Sequence, residues 1–155
     1  MAHETTDHVL AQLVRLVNGG SYEFSITLTV TGQTVTGKLI SSKKWFELLA
    51  GTCKASTQAE EGQVGLHSIF EGWADLTVEY NNELKRAQEA LEGVELPDRY
   101  MKAVDEAEVP VGFIHLEEAR IDGSGGYQPV EGMPWRGRLE HVSGWSLGEL
   151  KASRN

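Results

Sequence analysis

The sequence predicts an α+β fold: a bent five-stranded antiparallel barrel with an N-terminal helix and a large helical insertion between strands 2 and 3. Apolar and polar residues alternate over about 22–41 and 111–150, as in strands with one buried face, whereas about 42–110 follows helical spacing. Two early glycines, Gly32 and Gly37, indicate the sharp bends that a small barrel needs in order to close.

The composition indicates a single domain over residues 1–155 and argues against several classes of function. With 14 basic and 23 acidic residues the net charge is −9, so nucleic acid is an unexpected partner, because phosphate binding needs clustered Lys and Arg. The single cysteine, Cys53, excludes an internal disulfide. No apolar run could span a membrane, and the polar start at 1–7 does not resemble a secretory signal. We therefore expect a cytoplasmic protein without membrane contact.

The first elements are a short helix and two strands. An apolar stripe predicts a helix over about 7–18, and the glycines that follow Asn18 provide its C-terminal cap. Strict alternation over 22–30 predicts the first strand. A turn at Gly32 then leads into a second strand over 34–41.

Three helices are predicted within the insertion. A short helix follows the second strand and ends near Gly51. The longest helix, over about 69–92, begins at a capping box formed by Ser68 and Glu71. A third helix is predicted over about 97–107, since proline is favoured in the first turn.

The longest helix carries an apolar stripe whose members are three or four residues apart. At about 1.5 Å per residue the helix would be roughly 36 Å long, which exceeds the width of a small barrel. Part of the stripe is therefore expected to face another helix or another subunit. Its members are Ile69, Trp73, Leu76, Tyr80, Leu84, Ala87 and Leu91.

Three late strands complete the predicted barrel. The first covers about 111–121, and the segment 122–134 is predicted to be a loop because it contains four glycines and two prolines. Alternation over 135–140 then predicts a strand, and a turn at Ser143-Gly144 leads into the last strand, 145–150.

The sequence contains no pattern typical of catalysis, a cofactor site or a metal site. No two of its five histidines have the helical spacing that would place them on one metal ion. His115 is expected on a strand with one solvated edge, and Cys53 lies in a polar segment without an adjacent histidine. No serine lies in a Gly-x-Ser-x-Gly motif. We therefore predict a non-enzymatic protein with no cofactor.

Seven residues are candidates for partner binding. The tryptophans 135 and 145 are expected on facing strands, where they either pack the barrel or bind a partner. Arg136, Arg138 and Glu140 are expected to share one outer face, which forms either a cross-strand ladder of ion pairs or a docking face for an acidic partner. The candidates are Trp73, Tyr80, Leu84, Trp135, Arg136, Arg138 and Trp145.

Two segments share a pattern of apolar residues and strand glycines: Ile26-x-Leu28 with Gly32 and Gly37-x-Leu39, and Trp135-Arg136-Gly137-Arg138-Leu139. They resemble the halves of the Sm-like small-barrel signature. The resemblance implies an Sm-like or SH3-like barrel, and it leaves RNA binding as the alternative function. Sm-like RNA binders carry an acidic and an amide residue after the second strand, whereas this chain has Ser41-Ser42-Lys43-Lys44 there.

A longer series of stretches forms a joint pattern. It comprises 26–30, Val35-Thr36-Gly37-Lys38-Leu39-Ile40-Ser41, Lys44-Trp45-Phe46-Glu47-x-Leu49, Phe113-Ile114-His115-Leu116 with Ala119, Trp135-Arg136-Gly137-Arg138-Leu139 and Val142-x-Gly144-Trp145-x-Leu147-Gly148. Together these stretches resemble the gas vesicle accessory protein U family (GvpU). What the resemblance implies is a non-enzymatic cytoplasmic protein that acts in the assembly or clustering of gas vesicles, with the vesicle shell or other accessory proteins as its partners. A homo-oligomer is expected as well, from the unpaired strand edges and the long apolar stripe.

Overall fold

The computed structural model describes residues 6–20, 22–56, 65–107 and 110–151, and it has an α+β fold. Within these residues one helix precedes the first strand and further helices lie between the second and third strands; the first of the latter continues to Ser56 instead of ending near Gly51. In chain order the elements are α1 (His8–Asn18), β1 (Phe24–Val30), β2 (Gln33–Leu39), α2 (Ser42–Ser56), α3 (Leu66–Ala90), α4 (Asp98–Asp105), β3 (Phe113–Gly123), β4 (Gly126–Arg138), a 3₁₀ helix (Leu139–His141) and β5 (Val142–Leu147).

The five strands form one antiparallel sheet in the order β4-β3-β2-β1-β5. The prediction of a closed Sm-like or SH3-like barrel is wrong, because β4 and β5 remain at the two edges of this described sheet. The residue after β4, Leu139, is buried in the core, and its N–H binds the carbonyl of Gly112 at 3.0 Å. After Leu139 the chain continues into β5, which pairs with β1 and forms the opposite edge of the sheet.

The first hairpin agrees with the alternating pattern of the sequence. Its two-residue turn, Thr31-Gly32, has φ angles of 48° and 83°, as the primed turns of hairpins require. The pairing of β2 with β3 shifts register around Gly37, where an added Cβ would lie 3.0 Å from the Cα of Ala119. Glycine at this position avoids a tight contact that a side chain would make with the backbone of β3.

The core forms where α1 covers the sheet. Asp7 caps α1, since its Oδ1 accepts hydrogen bonds from the N–H groups of Val9 (2.9 Å) and Leu10 (3.1 Å). The buried apolar residues of the core are Leu10, Ala11, Val14, Val17, Ile26, Leu28, Val35, Leu39, Ile114, Leu116, Ala119 and Leu139.

The segment 122–134 is not the loop that its glycines and prolines predict, because β3 and β4 form a hairpin across it. Since β4 is an edge strand, its prolines need not donate a hydrogen bond to a second neighbour. Gly132, with φ of 78°, lies where an added Cβ would be 2.5 Å from the backbone of Glu118. Glycine at 132 thus makes room for an irregularity in the ladder beside it.

The helices of the insertion pack mainly on one another. α2 packs against α3, and the small residues Ala50 and Ala74 are buried on these helices. α3 begins at Leu66 after the N-cap Gly65, so the predicted capping box is wrong. Glu71 forms an ion pair with Lys54 of α2 instead. None of the helices in the described ranges is long and apolar enough to cross a membrane.

Candidate partner-binding surface

α3 presents an apolar stripe to solvent. Four of its large side chains are exposed: Ile69 by 42%, Trp73 by 47%, Leu76 by 57% and Tyr80 by 56%. Leu84, farther along the same face of α3, is half-buried. The predicted stripe is therefore present on α3. Because α3 packs mainly on α2, the described chain leaves much of the stripe uncovered. We call these four exposed residues the apolar stripe.

An aromatic cluster joins the helical insertion to the sheet. It consists of Trp45, Phe46, Phe70 and Trp73 and ends at His115 of β3. The ring centroids of Trp73 and Phe46 are 5.9 Å apart, those of Phe46 and Trp45 are 5.2 Å apart, and those of Trp45 and His115 are 5.1 Å apart. Edge-to-face contacts of this kind stabilise beyond simple burial, so Trp73 is both an anchor and an exposed residue.

His115 is buried, with 3% of its surface exposed, rather than placed at the expected solvated edge. It lies opposite Arg136 of β4, whose Nε–H donates to the imidazole Nε2 at 3.1 Å. The other ring nitrogen, Nδ1, faces the hydroxyl of Ser42 at 3.4 Å, and Ser42 reaches Asn18 at 3.3 Å. Burial lowers the pKa of His115 to about 4, and the guanidinium of Arg136 adds to this effect. Both ring nitrogens are therefore engaged within the fold.

Arg136 also stacks on aromatic rings. Its guanidinium carbon lies 3.6 Å from the centre of the Phe113 ring and 5.9 Å from that of Trp45. Through Trp45 and Phe46, the structure connects two candidates from distant parts of the chain, Arg136 and Trp73. Local sequence does not predict this connection, since the register of β3 against β4 decides which residues meet.

The remaining sheet candidates lie at separate places. Trp135 and Trp145 pack against the core, but β4 and β5 are opposite edges, so the prediction that they lie on facing strands is wrong. The indole of Trp145 donates to Oδ2 of Asp7 at 2.8 Å. Arg138 pairs with Glu140 at 2.9 Å on the surface, two residues along the chain rather than across two strands.

The lysines around the end of β2 are neutralised by carboxylates. Lys44 contacts Glu23 at 2.8 Å and Glu117 at 2.9 Å, and Lys38 contacts the same two residues at 2.8 Å and 3.2 Å. These hydrogen bonds to Lys38 and Lys44 lower the pKa of Glu23. A polyanion would have to compete with these carboxylates for Lys38 and Lys44.

In the part of the chain that the structure describes, no group of three or more His, Cys, Asp or Glu side chains is placed to hold a metal ion. The prominent surface feature is the apolar stripe beside the aromatic cluster, which is typical of proteins that bind other macromolecules. A family model described as "Gas vesicle protein GvpU-like" matches residues 7–150. The chain belongs to the GvpU-like family of gas vesicle proteins. Comparison with curated proteins and with solved structures gives no match.

Proposed function

We propose that this protein is a non-enzymatic accessory protein that acts by protein–protein contacts in the assembly or clustering of gas vesicles. Membership of the family supports the link to vesicles, and the apolar stripe supports action by contact. Its partners are the vesicle shell or other accessory proteins, and its place is the cytoplasm, where it associates with vesicles.

The single observation that carries the proposal is the exposure of Leu76 and Tyr80 on a helix whose main packing partner is α2. Burying one large apolar side chain stabilises a contact by about 1.5–3 kcal/mol. Side chains spaced three or four residues apart lie on one helix face, so a partner can cover them together. Aromatic and large aliphatic residues of this kind dominate binding at protein interfaces.

A protein partner suits this surface better than a nucleic acid. The net charge of −9 repels a polyanion at long range, and Lys38 and Lys44 are already paired with carboxylates. The strength of an apolar contact does not depend on the charge of the two surfaces, because the hydrophobic effect is proportional to the apolar area removed from water.

The test is recovery of the purified chain with gas vesicles collected by flotation. The unaltered chain is expected to float with the vesicles. The double variant L76S/Y80S should bind about tenfold or more weakly, since it removes two large apolar contacts. Tyr100→Ser is the matched control, because Tyr100 is similarly exposed (50%) but lies on α4.

No retention of the unaltered chain above an albumin control would overturn the proposal. Equal retention of L76S/Y80S and Tyr100→Ser would show that α3 is not the contact surface. Circular dichroism of each variant checks that the helices remain folded. We expect them to, because the substituted residues are exposed.

A further inference from the structure

A cleft of about 960 Å³ lies between three parts of the molecule. One wall is the end of α1, a second is the start of α2, and the third is the middle of α3 from Leu76 to Lys85. That stretch of α3 rises by about 14 Å, at 1.5 Å per residue, so the cleft could hold several residues of an extended chain. Two residues of the apolar stripe, Leu76 and Tyr80, belong to its lining.

The lining of this cleft has a charge opposite to that of the molecule. Three basic residues line it, Arg15, Lys43 and Lys85, and none of the described residues that line it is Asp or Glu. The chain as a whole carries −9. Lys43 also pairs with Glu47 of its own helix, whereas Lys85 forms no ion pair with any residue that the structure describes. An acidic group entering the cleft would therefore meet unbalanced positive charge near Lys85.

The rest of the lining suits a peptide chain. Leu76, Val78 and Val111 supply apolar contact, and Asn81 and Asn82 supply amide groups that can both donate to and accept from a peptide backbone. The cleft also includes the C-terminal end of α1, where a helix carries partial negative charge. That end disfavours an anion beside it but can accept a hydrogen bond from a peptide N–H, so the carboxylates of a ligand are expected near Lys85 on α3 instead.

We propose that this cleft binds an acidic peptide segment of the partner protein, with carboxylates near Lys85 and apolar side chains on Leu76 and Tyr80. The inference rests on the proposed function and adds the chemistry of the partner: apolar residues interspersed with Asp or Glu. An acidic segment in the cleft would bind more weakly as the salt concentration rises, whereas a purely apolar contact would not be weakened in this way.

The first experiment measures fluorescence anisotropy of a labelled peptide in which Glu and Leu alternate. We expect it to bind the unaltered chain, and a peptide with Lys in place of Glu should not bind. Lys85→Glu should weaken binding about tenfold, because it replaces an attraction by a repulsion. Arg86→Glu is the matched control: it makes the same charge change on the next residue of α3, outside the lining of the cleft.

Asn81→Asp is a second variant, which adds a negative charge to the lining without removing a lysine and should also weaken binding of the Glu–Leu peptide. Equal effects of Lys85→Glu and Arg86→Glu, equal binding of the two peptides, or no binding of the Glu–Leu peptide would overturn the inference. Displacement of the peptide by inorganic pyrophosphate would overturn it as well, by assigning the cleft to phosphate.

Vesicle flotation separates this inference from the proposed function. If L76S/Y80S no longer binds the vesicles but Lys85→Glu still does, the stripe binds by apolar contact alone, and the inference of an acidic peptide in the cleft is wrong. If neither the unaltered chain nor any variant floats with vesicles, the proposed function fails, even where the cleft binds the Glu–Leu peptide.

Discussion

His115 is an imidazole that the fold keeps neutral. Its ordinary pKa of 6.5 falls to about 4 because the ring is buried, and because Arg136 places a positive charge on its Nε2 side. The unfolded chain therefore takes up a proton at a higher pH than the folded chain. Between these two pKa values, unfolding becomes more favourable as the pH falls.

From about pH 7 to about pH 5, His115 is expected to lower the free energy of unfolding by about 2 kcal/mol. His115→Gln should remove that part of the pH dependence while retaining groups that can hydrogen-bond. Urea unfolding followed by tryptophan fluorescence measures it, with His141→Gln at the surface as the control. The same slope in His115→Gln and in the unaltered chain would contradict the assignment.

Gly137 makes room for the side chain of Trp135. A Cβ at Gly137 would lie 2.2 Å from Cη2 of that indole, which packs against the core. Gly137→Ala must therefore displace the ring and should cost about 1–3 kcal/mol of stability, with a shift in tryptophan emission. Gly144→Ala is the control, because no atom lies within 4 Å of its added Cβ. If the two variants unfold at the same urea concentration, Trp135 does not cover Gly137.

At the scale of elements, one side chain of α3 binds the end of α4. Nε2 of Gln88 donates to the carbonyls of Val104 at 3.1 Å and Ala107 at 2.9 Å, at the end of α4. Gln88→Met removes both hydrogen bonds and should speed amide exchange of α4 about fivefold, which corresponds to about 1 kcal/mol.

Hydrogen-exchange mass spectrometry of the peptide spanning α4 measures this change. Glu89→Gln, at the next exposed position, should leave the exchange rate of α4 unaltered. An unchanged rate in Gln88→Met would show that packing, rather than these two hydrogen bonds, holds α4 in place.

The elements differ in how well local sequence predicts them. Strict alternation was enough for β1 and β2, and periodic apolar spacing was enough for α1 and α3. The strand predicted from residue 135 is only the second part of β4. Its first part lies in the segment taken for a loop, because glycine and proline normally break strands and only the position of β4 at a sheet edge makes them acceptable. The start of α3 was misplaced because Glu71 pairs with Lys54 on α2, a tertiary contact that local spacing does not reveal.

The candidate surface shows the same limit. The apolar stripe on α3 followed from spacing alone, since helical period places its members on one face. The contact of Arg136 with His115 depends on the register of β3 against β4, and the aromatic cluster depends on how α2 meets the sheet. Neither could be derived from residues that are close in sequence.

At the scale of the whole molecule, two opposing forces act between copies of this chain. A net charge of −9 repels a second copy, whereas the apolar stripe gains free energy when it is covered. Salt screens the first force at distances beyond about 8 Å at physiological ionic strength and leaves the second intact.

We therefore expect a homo-oligomer whose association strengthens as the salt concentration rises. Sedimentation velocity at several salt concentrations measures it, and L76S/Y80S should remain smaller at every one, because it lacks the apolar contact. Association that weakens with salt would instead indicate ion pairs between copies, such as acidic residues of one copy in the cleft that contains Lys85 of the next. A mass equal to one chain at all concentrations of protein and salt would contradict self-association, and binding to the vesicle would then have to depend on single copies of the chain.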